Sequence, residues 1–69
     1  MTPAMLRQFW KVVENTQSTI LTNLDDGRLV AWLLNRVASE RPIDQSEATI
    51  YSNYIQSRLT LIRDLAEAR

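Results

Sequence analysis

Apolar residues recur along this chain at intervals of three and four, and that spacing predicts helices rather than strands. Thr2 followed by Pro3 reads as an N-cap and a first helical position, where the missing proline amide costs nothing. The first helix is expected over about 3–15. Placed at 100° per residue, Met5, Leu6, Phe9, Trp10, Val12 and Val13 fall within an arc of about 160°, with Arg7, Lys11 and Glu14 opposite. The run Glu14 to Thr19 is polar throughout and interrupts this face, and Ile20, Leu21 and Leu24 resume it. A turn or short helix is expected over about 18–24.

Asp25-Asp26-Gly27 admits two readings. In one, Asp-Gly joins the strands Thr19 to Leu24 and Arg28 to Leu34 as a hairpin. In the other, an aspartate caps a second main helix over about 26–39. Leu29-Val30-Ala31-Trp32-Leu33-Leu34 does not alternate, and Asn35-Arg36-Val37-Ala38 continues it with helical spacing, which favours the helix. Pro42 closes that segment by blocking helical geometry at Arg41. Asp44 and Glu47 have the spacing of a capping box and open a third main helix, expected to run unbroken over about 45–68. One glycine and two prolines are too few to punctuate an all-β chain of this length. The expected fold is all-α: residues 1–69 as a single helical domain, a bundle of three main helices with a short helical turn between the first two.

The third helix carries the functional expectation. Its apolar residues, among them Ile50, Tyr51, Tyr54, Ile55, Leu61 and Leu65, spread over roughly half its circumference, more than one neighbour covers. A helix of that length measures about 37 Å, while a compact chain of this size is under about 30 Å across. An overhanging helix with a wide apolar arc predicts pairing with a second copy. Arg58 lies inside the arc and must be paired, stacked or drawn to water, either covering apolar surface with its stem while its head reaches solvent or a carboxylate such as Glu14, or stacking on Tyr54 as an anchor for a partner or an anionic group. On the second helix Trp32 projects away from the apolar face beside Arg36. The candidate partner interface is therefore Trp32, Arg36, Tyr54, Arg58, Leu61 and Leu65.

Composition narrows the chemistry. The chain has no cysteine and no histidine, which removes disulfides, thiolate metal sites, the commonest metal ligand and the commonest general base. No glycine-rich phosphate loop and no nucleophile beside a base is present. Asp25, Asp26, Asp44 and Glu47 are accounted for by capping. A non-enzymatic protein without metal or cofactor is expected. The longest apolar run, Leu29 to Leu34, is six residues, far short of the ~20 that span a bilayer. The N-terminal residues lack the apolar stretch of a secretory signal, so the protein is expected in the cytoplasm.

Formal charge is zero, with three bases and three acids in residues 1–34 and five of each in 35–69. A helix-turn-helix reading, with Asn53, Gln56, Ser57 and Arg63 facing base edges, is the alternative, but no basic footprint supports it. Nucleic acid is thus not the expected partner.

One resemblance spans most of the chain. Phe9-Trp10, Val13-Glu14, Thr16-Gln17, Asp26 with Leu29-Val30 and Trp32-Leu33-Leu34, then Tyr54 to Leu59 and Leu61 to Leu65, together resemble short cyanobacterial proteins of unassigned function. The resemblance implies a bacterial, intracellular origin and carries no activity, ligand or site. The expected role is a small protein-protein interaction or regulatory module that forms a homodimer.

Overall fold

Thr2 opens the first helix as its residue type predicts: its side chain accepts a hydrogen bond from the Met5 amide, and Pro3 follows as the first helical residue. The structure, a computed structural model, describes residues 1–69. The chain is all-helical, with 80% of its residues in helices and no strand. The five helices are α1 (Pro3–Glu14), α2 (Ser18–Asn23), α3 (Asp26–Glu40), α4 (Gln45–Ser57) and α5 (Leu59–Glu67). The hairpin alternative is excluded, because Asp25 caps α3 by accepting from the Arg28 amide at 2.8 Å, and Asp26 and Gly27 form the first turn. A complete capping box opens α4, in which Asp44 accepts from the Glu47 amide and the Glu47 side chain accepts from the Asp44 amide.

α3 packs against α1 on one side and α4 on the other, and α5 packs on α2. Between them lies one core in which Phe9, Leu21, Leu29, Leu33, Val37, Tyr51, Ile55 and Ile62 are fully buried. No buried side-chain nitrogen or oxygen is left without a hydrogen-bond partner. The one buried polar residue, Thr16, donates its hydroxyl to the Val12 carbonyl at 2.7 Å.

The expected single helix over 45–68 is not observed. It is broken at Arg58, whose φ of −118° and ψ of 9° lie outside the helix and whose amide donates to Ile55 rather than to Tyr54, four residues back. The Ser57 hydroxyl donates to the Tyr54 carbonyl instead, at 2.7 Å, and satisfies the group the break exposes. A new helix starts from Arg58, whose carbonyl accepts from the Ile62 amide at 2.9 Å. Burial decides the matter. A helical hydrogen bond contributes about 0.5–1.5 kcal/mol net, whereas burying one isoleucine contributes about 1.5–3 kcal/mol. The bend seats Ile62 and Ala66 against the core. It also removes the overhang on which the dimer was expected, since the longest dimension of the molecule is 31 Å.

Two arginines hold α5 in place. Arg63 donates to the Leu21 carbonyl at 2.9 Å and to Asp26 at 2.7 Å, joining the end of α2 to the start of α3. Arg69 donates to the Thr16 and Val13 carbonyls at 2.7 and 3.0 Å, at the end of α1. Both guanidinium groups meet carbonyls in or just beyond the last turn of a helix, near the negative ends of the helix dipoles.

Tyr51 links α4 to α1 by donating its hydroxyl to the Met5 carbonyl at 3.4 Å. Burial pushes its phenol above the ordinary value of 10.0; Arg41 opposes this and Glu47 adds to it. A phenol whose folded pKa is raised holds its proton more tightly when folded, so its contribution is intact below pH 10 and is lost as pH climbs toward the folded value. Urea unfolding followed from about pH 8 to 12 should therefore show stability declining above about pH 10. Tyr51→Phe is expected to flatten much of that decline at a cost of about 1 kcal/mol at neutral pH for the lost hydroxyl contact.

Candidate interaction surface

The end of α4, the break and the outer face of α5 carry four of the six expected interface residues. Tyr54 is half-buried, its ring edge-on to Phe9 at 5.5 Å and to Trp10 at 6.4 Å. Its hydroxyl accepts from the Trp10 indole nitrogen at 3.1 Å, which satisfies both partly buried polar tips. Phe9 and Trp10, adjacent in sequence, meet edge-on at 5.1 Å. Three aromatic rings thus join α1 to α4 and hold Tyr54 in one orientation.

Arg58 lies over the other part of that assembly, its guanidinium carbon 5.1 Å from the Tyr54 ring centroid. The guanidinium's only hydrogen bonds are to the carbonyl and hydroxyl of Ser57, at 3.5 and 3.3 Å. It pairs with no carboxylate: the three ion pairs are Arg28–Asp25, Arg41–Glu47 and Arg63–Asp26. Stacking on Tyr54 is observed and the residue is exposed to solvent, while the contact with Glu14 is absent.

Leu61 and Leu65 follow on α5, one turn apart, 44% and 46% exposed. Their neighbours Ile62 and Ala66, on the adjoining face of the same helix, are buried. The surface therefore combines a cation held by stacking, without an acidic partner, and two leucines open to water.

Trp32 and Arg36 form a second group on α3. Trp32 is half-buried, packs against the core and lines a shallow groove with Ile20 and Leu24, beside α2. The Arg36 guanidinium is 5.7 Å from its ring. The pairing expected from the sequence is thus present in geometry, but it belongs to a different face from Tyr54 and Arg58.

Arg63, which a nucleic-acid reading would turn outward, is occupied by Asp26 and Leu21. The roles of Arg63 and Arg69 carry no short-range signal, since their partners lie 37 to 56 residues away in the chain. No three acidic side chains come together where they could hold a metal ion. No helix is long and apolar enough to cross a membrane.

Fold and surface together define a small all-helical chain with an aromatic-supported arginine beside exposed leucines. No family model, no curated protein and no solved structure matches it.

Proposed function

We propose that this protein is a small non-enzymatic interaction or regulatory module, and that it pairs with a second copy of itself through Tyr54, Arg58, Leu61 and Leu65. The observation that carries the proposal is the pair Leu61 and Leu65, close to half exposed on a helix whose other face is fully packed. Arg58 adds support, because a stacked guanidinium without an acidic partner is the residue type enriched at the centre of interfaces. On the resemblance to short cyanobacterial proteins, we propose the bacterial cytoplasm as the place of this role.

Sedimentation equilibrium over micromolar concentrations tests the pairing directly. A mass rising from 8.0 kDa toward twice that value is expected. Leu61→Glu should weaken the dimer by about 100-fold, since a leucine contact worth roughly 1.5 kcal/mol or more is lost in each subunit. The helical circular dichroism should not change. A chain that stays at 8.0 kDa at the highest concentration, or a dimer indifferent to Leu61→Glu, overturns the proposal.

A further inference from the structure

Between Gln45 and Glu67 there is no glycine and no proline, and the only residue outside a helix is Arg58. The buried residues on either side of that break, with the partly buried Leu59 between them, share one line. Placed on a continuous helix at 100° per residue, Tyr51, Ile55, Leu59, Ile62 and Ala66 fall within an arc of about 80°. The stripe does not require the bend; it would stay unbroken along a straight helix.

The seat of α5 is built from the other half of the chain. α5 packs on α2, and the Arg63 and Arg69 side chains that anchor it bond Val13, Thr16, Leu21 and Asp26. Only Arg58 connects α5 to the end of α4. The same seat in a second molecule offers the same carbonyls, the same carboxylate and the same apolar floor. Exchange of an identical element between copies is a low-cost route to a dimer, and short connections favour it.

Straightening also leaves the backbone satisfied. The Arg58 amide gives up Ile55 and regains Tyr54, the partner four residues back that an uninterrupted helix provides. In the bent form the Tyr54 carbonyl is met by the Ser57 hydroxyl instead.

We propose that two copies of this chain exchange α5: α4 and α5 straighten across Arg58 into one helix, and each α5 occupies the seat on its partner's α2. The inference rests on the reading of the chain as self-associating and names a way in which the two copies hold each other.

Charge reversal tests it. Arg63→Glu alone faces Asp26 in its own chain, and Asp26→Arg alone faces Arg63. In an exchanged dimer of the two variants, the altered α5 of one chain meets the altered seat of the other with opposite charge, and the unaltered Arg63 meets the unaltered Asp26. Native mass spectrometry of an equimolar mixture, with one variant isotopically labelled, should show heterodimer well above the statistical half of all dimers. Statistical proportions overturn exchange and leave surface pairing standing; monomers alone, in mixture and in the unaltered protein, remove self-association itself.

A second measurement does not depend on the folding of those variants. Ser57→Ala removes the hydroxyl that satisfies the Tyr54 carbonyl in the bent form, whereas in a straight helix the Arg58 amide satisfies it, so about tenfold tighter dimerisation is expected. Spin labels at Thr22 and Thr60, in chains diluted with unlabelled protein, should lie at helix-packing distance in the monomer and farther apart in the dimer. An unchanged dimerisation constant, or an unchanged label distance, overturns the exchange.

Discussion

Phe9→Ala is expected to leave the chain largely unfolded at 25 °C. Phe9 is completely buried, stands edge-on to both Trp10 and Tyr54, and so lies where α1 meets α4. Truncating a buried phenylalanine to alanine costs about 3–5 kcal/mol. A core in a chain this small supplies roughly 3–5 kcal/mol in total. The loss therefore equals the whole margin. Far-ultraviolet circular dichroism should show the helical signal collapse, and urea titration should find no cooperative transition. A variant within about 1 kcal/mol of the parent would mean that the aromatic trio is ornamental to the fold.

Ile62→Ala should cost about 2–4 kcal/mol, and its size distinguishes the observed architecture from the one that a straight, unpartnered last helix would give. On a straight helix extending beyond the body, Ile62 would be largely in water and its truncation nearly silent. In the bent chain it is completely buried in the common core. Leu61 is one residue away and 44% exposed, so truncation there should cost less than about 1 kcal/mol of folding stability. Urea unfolding of both variants measures the contrast directly. Hydrogen exchange should in addition show the α5 amides losing protection before those of α3 in the Ile62 variant, because beyond Ile62 and Ala66 α5 is held by only two arginines, Arg63 at its middle and Arg69 just past its end.

Helix starts were legible in the sequence because they depend on one or two neighbouring residues. Thr2 with Pro3, Asp25, and Asp44 with Glu47 each act within three positions, and each caps the helix expected of it. The short helix at Ser18–Asn23 was legible as an apolar cluster between polar runs. The break at Arg58 was not. Nothing in Gln56-Ser57-Arg58-Leu59 opposes a helix, and the bend exists because Ile62 and Ala66 find their burial on α2, forty residues earlier in the chain. Pattern alone placed Leu61 and Leu65 on an open face, and they are open. It expected Tyr54 and Arg58 beside them, and the stack is there, but the indole hydrogen bond that steadies Tyr54 comes from a residue 44 positions away. Trp32 was placed on a face apart from the buried stripe, which holds, while its neighbour α2 became evident only in three dimensions.

The hydrogen bond and edge-on contact between Trp10 and Tyr54 also give the molecule an optical signature. A tyrosine whose ring centre is 6.4 Å from an indole passes its excitation to that indole, so in the folded chain Tyr54 should emit almost nothing of its own. Separation of α1 from α4 releases that emission. The second tryptophan, Trp32, stands in the groove beside α2 and answers to events on another face. Tyrosine fluorescence thus reports whether the two helices are together, without any label being introduced.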